Sequence, residues 1–267
     1  DTISIPRQYV LGLATEVGGK TSHVGIFASA LGIPSVVGIK SLTTKINTGD
    51  QIIIDGINGH VITNPTKKTL EHYKVKQLEH KQYERRLLIN IERPAITTDD
   101  FRIRLMANIE STHEIKALKN FGAEGVGLYR TEFLYLSSQS FPSERNLFEN
   151  FKKAAQEITP HPIIIRTLDI GMDKQPAFLK SNDEDNPALG LRGIRMSLAN
   201  PELFSIQLRA ILRASFYGNV KIMYPMISDV QEVIQANSLL EKAKEEMREK
   251  QIPFSDDIEI GAVIETP

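Results

Sequence analysis

Hydrophobic and polar positions alternate with one period in some stretches and another elsewhere, and the pattern changes character near Thr66 and again near Pro94. Before Thr66 the apolar runs are short. Tyr9-Val-Leu-Gly-Leu-Ala14, Ser35-Val-Val-Gly38 and Gln51-Ile-Ile-Ile-Asp55 predict strands. Gly56-Ile-Asn-Gly59, set before Val61-Ile62, predicts a hairpin turn. Gly18 and Gly19 break the first run, and Thr21 to Leu31 predicts a short helix closed by Gly32 with Pro34 just beyond. Together these form an α/β unit of about 65 residues, near the lower size limit for folding alone.

From Thr66 to about Glu92 charged residues alternate with Leu70, Tyr73, Leu78, Leu87 and Ile91. This predicts one long, partly amphipathic helix that ends before Pro94, with a solvated linker as its simplest role. Beyond Pro94 a beat of strand and helix begins. Strands are expected at 102–109, 125–129, 162–166, 220–224 and 258–264. Capping boxes at Ser111-x-x-Glu114 and Ser228-x-x-Gln231 predict helix starts, as does Ser143, and Gly122 predicts a helix stop. A further helix is expected from about Pro201 to Phe216. Strands separated by helices imply a parallel sheet with right-handed crossovers. The stretch from Pro94 to Pro267 falls short of the roughly 250 residues of a closed eight-stranded barrel. The chain also stops just after a strand, so an incomplete barrel is expected, with an open doubly wound sheet as the alternative.

Composition narrows the field. The 267 residues are 41% hydrophobic and 24% charged, an ordinary globular balance. Lys plus Arg total 32 and Asp plus Glu 33, so no global field draws the chain to nucleic acid or a membrane surface. No apolar run is long enough to cross a bilayer. With no cysteine there is no disulfide framework or thiolate metal site, which fits a cytoplasmic protein.

Candidate chemistry begins at Gly18-Gly-Lys-Thr-Ser-His23. Gly19-Lys20-Thr21 has the tail of a phosphate-cradling P-loop, with Asp55 as a magnesium-holding partner. Ala14, however, stands where that pattern needs glycine, and Asp55 follows too soon for an intact nucleotide fold. The other candidate is His23. At a helix start, free N–H groups and the positive dipole end stabilise a phosphoryl group, and Thr21 and Ser22 add hydroxyl donors. A histidine at this place also serves commonly as a cap or a surface residue.

The stretch GGKTSHVGIFASALGIPSVVG at 18–38 resembles the active-site signature of the phosphoenolpyruvate (PEP)-utilising enzymes. GAEGVGLYRTEFLYL at 122–136, IIIRTLDIGMDK at 163–174, NPALGLRGIR at 186–195, QLRAILRASFYGNVKIMYPMI at 207–227 and IEIGAVIETP at 258–267 resemble the Enzyme I branch, the phosphotransferases of bacterial sugar-uptake systems. The resemblance covers nearly the whole chain, in order. It implies a partial swivelling phosphohistidine domain at 1–66, a linker helix at 67–93, and an incomplete (β/α)8 barrel of TIM type at 94–267. It implies phosphoryl transfer from PEP to His23 as a tele-phosphohistidine, and onward to the phosphocarrier protein HPr. Thr21 and Ser22 would support His23. Arg130, Arg166 and Arg192 would bind PEP, since guanidinium groups pair bidentately with phosphate and carboxylate. Glu265 would be a ligand of Mg2+, the second acidic ligand lying beyond the chain end, and Asp169 and Asp173 would support their loop. A homodimer is implied for the intact enzyme.

The chain departs from the pattern at Ser29, where the family usually has arginine, and at Met172, where it commonly has glycine. A cation six residues after the histidine would offset a phosphoryl charge. The resemblance also implies an HPr-docking region before the start of the chain. It places three more strands, an asparagine, a catalytic cysteine and much of the dimer interface after its end. The chain alone is therefore expected to be inactive. Two alternatives stay open: a non-catalytic PEP-binding or phosphoacceptor module, and a piece of pyruvate phosphate dikinase or PEP synthase.

Overall fold

The computed structural model describes residues 9–19, 28, 32–91, 93–136, 140–170 and 190–266. The chain divides into two compact units, Asp1–Asn90 and Ile91–Pro267.

In the first unit, β1 (Leu13–Ala14) pairs in parallel with β2 (Ser35–Val36), and β3 (Ile52–Asp55) pairs antiparallel with β4 (His60–Thr63). The predicted hairpin is therefore present, whereas the expected strand from Tyr9 narrows to two residues. The helix predicted over 21–31 lies outside the described residues. Helix α1 (Lys67–Leu88) begins where expected, with the Thr66 side chain accepting from the Thr69 N–H, and none of its residues is buried. That exposure, with only Thr69, Leu70 and Tyr73 half-buried, agrees with its charge pattern.

The second unit opens on a short antiparallel pair, β5 (Ala95–Ile96) with β6 (Arg102–Ile103). The single strand expected over 102–109 is thus two elements: β6 belongs to this hairpin, and β7 starts afresh at Ala107 and runs to Ile109. Continuous apolar alternation hid the break. The Ser111 capping box forms, Glu114 accepting from the N–H of Ser111. It opens a mixed turn of 3-10 helix and α2 (Ile115–Leu118), which Gly122 ends at φ +68°. The left-handed conformation there suits glycine, and an added Cβ would lie 2.7 Å from Ile91.

Strands β8 (Val126–Tyr129), β9 (Ile163–Arg166), β10 (Val220–Tyr224) and β11 (Ile260–Ala262) join β7 in one five-stranded parallel sheet. Neighbours in the sheet are neighbours in sequence, from β7 through to β11. Between the strands come α3 (Glu132–Leu136), α4 (Glu144–Ile158), α5 (Ile194–Ala199), α6 (Pro201–Ser215) and α7 (Val230–Glu249). Helices α3 and α5 have no sequence signal, being only five and six residues long. Helix α7 is capped by Asp229 with Glu232, one residue beyond the predicted Ser228–Gln231 box. Asp229 is a stronger acceptor than a hydroxyl, and its carboxylate takes the N–H of Gln231 at 2.7 Å.

The core lies between the sheet and these helices. Phe151 and Ile158 of α4, Leu208 and Ile211 of α6, Leu240 of α7, and Ile163, Ile165 and Ile222 of the strands are all buried in one cluster. Removing this apolar area from water is the main force that holds strand ends, and hence the residues just past them, in place.

Candidate functional site

Four of the five strands of the parallel sheet deliver a charged residue at or just past their carboxyl ends. Glu110 follows β7, Arg130 follows β8, Arg166 ends β9, and Glu265 follows β11. Parallel sheets place their chemistry at this edge because their loops and helix starts converge there.

The geometry joins several of these residues. Arg166 is held on both sides: its Nη2 donates to Glu132 Oε1 at 2.7 Å and its Nη1 pairs with Asp169 Oδ2 at 3.1 Å. Arg192 donates from Nε to Asp169 Oδ1 at 2.9 Å and from Nη2 to Oδ2 at 3.3 Å. Asp169, with a side chain only 4% exposed, therefore carries two arginines, one of them bidentately. Arg130 donates to Glu110 at 3.1 Å. The Nε atoms of Arg130 and Arg166 are buried and have no hydrogen-bond partner among the described residues. Two buried donors left over on guanidinium groups fit an added anion.

Burial pushes the carboxyl of Glu132 above its ordinary value, and the neighbouring Arg166 only partly offsets this. Three arginines face three carboxylates here, so the cluster's charge is nearly balanced. A multiply charged anion entering it would displace carboxylate contacts rather than fill an empty positive field.

Glu265 joins the group through Met226. Its Oε1 accepts from the Met226 N–H at 3.0 Å, and a Cβ built on Gly193, next to Arg192, would lie 2.9 Å from Met226 Cγ. Glu265 offers oxygen chemistry suited to magnesium, which takes few carboxylates along with water and substrate oxygens. One carboxylate is not a site, however, and the described residues hold no cluster of three or more His, Cys, Asp or Glu able to bind a metal ion.

Of the predicted site residues, Arg166 and Arg192 are thus brought together, with Arg130 on the neighbouring strand and Glu265 linked through Met226. Thr21, Ser22 and His23 lie outside the described residues, as do Lys20, Ser29, Met172 and Asp173. The P-loop reading loses its second half. Asp55 accepts from the N–H groups of Ile57 and Asn58 and from the Asn58 side chain, so its carboxylate is spent on its own hairpin turn. Sequence reasoning gave no role to Glu132. Its signal was position, two residues past Arg130 on the same strand end.

A parallel α/β domain with arginines and carboxylates gathered at the carboxyl ends of its strands is of the class that performs its chemistry at that edge. Comparison with known proteins makes the assignment specific. Residues 85–267 match the PEP-binding domain of PEP-utilising enzymes, and residues 1–59 match their mobile domain. The chain belongs to the PEP-utilising enzyme family. It is 41% identical over all 267 residues to phosphoenolpyruvate-protein phosphotransferases of Geobacillus stearothermophilus and Bacillus sp. (strain S), covering 46% of each. It is 40% identical to the one from Staphylococcus aureus (strain MSSA476), covering 47%. The chain thus spans about half the length of the curated relatives it matches. A solution NMR structure of Enzyme I (nEIt) is 47% identical over 30% of this chain and 33% of its own, with a TM-score of 0.29. No described helix is long and apolar enough to cross a membrane.

Proposed function

We propose that the protein carrying this chain transfers the phosphoryl group of PEP to His23 and then to the carrier protein HPr, as the first step of sugar uptake by a phosphotransferase system. The observation that carries this reading is the meeting of Arg166 and Arg192 on Asp169 at the carboxyl edge of the sheet. Full-length similarity to phosphoenolpyruvate-protein phosphotransferases supports it.

In this reading Arg130, Arg166 and Arg192 bind the phosphate and carboxylate of PEP. The bond between phosphorus and the enolate oxygen breaks, a bond from phosphorus to a ring nitrogen of His23 forms, and the released enolate takes a proton at carbon to become pyruvate. Thr21 and Ser22 support the histidine. Glu265 is the residue of this chain that would help to hold magnesium, which when bound would offset phosphate charge. The domain layout is part of the same proposal: a swivelling phosphohistidine domain at 1–66, a linker at 67–93 whose helix ends at Leu88, and part of a TIM-type barrel from 94. The strictly sequential strand order supports the barrel. Right-handed crossovers between successive neighbours return every helix to the same face, as in a barrel, whereas a doubly wound sheet reverses its order at a switch point. A cytoplasmic location and a homodimer complete the reading.

The test is phosphorylation of the full-length protein with 32P-labelled PEP and magnesium. Acid-labile label that vanishes in His23→Ala and passes to added HPr is expected. A folded protein that binds PEP but takes no label would instead be a non-catalytic binding module.

A further inference from the structure

We infer that Gln207 is a positioning residue for the arginine cluster, an inference that rests on the proposed PEP chemistry. Gln207 lies on α6, whose other inward positions include Phe204, Leu208 and Ile211, and it is 1% exposed. An amide in such a place costs free energy unless both of its ends are paired. Both ends are. Its Oε1 accepts from the Leu168 N–H at 3.0 Å, and its Nε2 donates to Thr131 Oγ1 at 3.3 Å. Thr131, itself fully buried, donates its hydroxyl to the carbonyl of Arg166 at 3.0 Å.

The partners are what make this more than packing. Thr131 stands between Arg130 and Glu132, and Leu168 stands between Arg166 and Asp169 with one residue intervening on the arginine side. One buried amide therefore ties the segment after β8 to the end of β9 and the segment that follows it. Those stretches carry Arg130, Glu132, Arg166 and Asp169. The amide supplies a donor to one segment and an acceptor to the other, and no apolar residue of the same volume can do both. A displacement of about 1 Å at a binding group can cost on the order of a hundredfold in rate. A fixed link behind the cluster is the kind of support that prevents it.

The test uses the full-length protein and four variants. Gln207→Met keeps the volume and removes both hydrogen bonds. Thr131→Val removes the shared hydroxyl, and Thr131→Ser restores it. Arg166→Ala checks the underlying site. The expected result is a KM for PEP raised about tenfold in Gln207→Met and in Thr131→Val, near wild type in Thr131→Ser, and no further rise in the Gln207→Met/Thr131→Val double variant, since the two residues act as one link. Amide hydrogen exchange at Leu168 should accelerate in Gln207→Met. If Gln207→Met fails to fold, the two Thr131 variants carry the comparison. Unchanged PEP kinetics in Thr131→Val and in folded Gln207→Met, with Arg166→Ala disabled, would overturn the positioning role and leave the PEP reading standing. A wild-type protein that neither binds nor turns over PEP would overturn both.

Discussion

Arg192 reaches Asp169 through two parallel hydrogen bonds, and Asp169 gives the same carboxylate to Arg166. The side chain of Asp169 is almost wholly buried, so its removal would take the shared carboxylate from Arg192 and leave the largely buried Arg166 with Glu132 alone of its two carboxylates. Breaking a buried pair by removing one member costs about 3–5 kcal/mol. Asp169→Asn keeps the shape and one acceptor, so a loss near 3 kcal/mol is expected. Urea unfolding should show it as a lower midpoint at unchanged slope. PEP should stabilise the variant more than the wild type, because its anionic groups would take over the missing charge. An unchanged midpoint would mean that the arginines are held by other contacts.

Glu132 gives a pH dependence of definite sign. Burial raises its folded-state pKa above 4.5, and Arg166 does not fully reverse this. In the interval between 4.5 and the raised value the folded state binds more protons than the unfolded state. Its contribution to stability is therefore fully present below about 4.5 and is lost as pH rises through the folded value. Glu132→Gln lacks that titration. The stability of wild type relative to this variant should fall as pH is raised from 4.5, a trend that denaturant titrations at several pH values would reveal or exclude.

Glu144 should behave in the opposite way. Burial alone would raise its pKa and is the largest single influence, but the hydrogen bonds and charges of Arg209 and Arg213 together lower it below 4.5. These contacts, at 2.8 and 2.9 Å, tie α4 to α6, and Arg213 also stacks 3.9 Å above the ring of Phe148. A depressed folded pKa means stability that is present above the unfolded value and lost as pH falls through the folded one. Compared with Glu144→Gln, the wild type should lose its advantage below pH 4.5. Equal acid sensitivity of the two proteins would remove Glu144 from the account.

Much of the fold could be read from local pattern because local pattern causes it. Strand β10 appears at the residues its apolar run predicts, and the Ser143 cap opens α4 where expected. What escaped was fixed by distant contacts. Helices α3 and α5 are too short to show a period. The break between β6 and β7 depends on β5, which captures Arg102 and Ile103 from outside the apolar run. The arginines were visible through family resemblance, but their partners were not. Nothing adjacent to Glu132 or Gln207 in sequence indicates that one faces Arg166 and the other bridges two strand ends. Gln207 in particular sits in a helix that reads as plain core.

Gly193 separates strain from crowding at the site. Its backbone has φ +57° and ψ −128°, a region that costs other residues about 1–3 kcal/mol. An added Cβ would also lie 2.9 Å from Met226 Cγ, 3.0 Å from Met226 Cβ and 3.3 Å from Asp169 Oδ1. Met226 donates its N–H to Glu265, so a shift there would move the proposed magnesium ligand as well as the carboxylate that holds the arginines. Gly59, in the β3–β4 turn at φ +70°, supplies the control, because a Cβ there meets nothing within 4 Å. Gly59→Ala should lose about 1 kcal/mol of stability from backbone strain alone and leave turnover of PEP intact. Gly193→Ala should lose more and should raise the magnesium concentration needed for half-maximal phosphorylation of His23. If the two variants differ only in stability, the contact between Gly193 and Met226 matters to folding and the coupling to Glu265 is wrong.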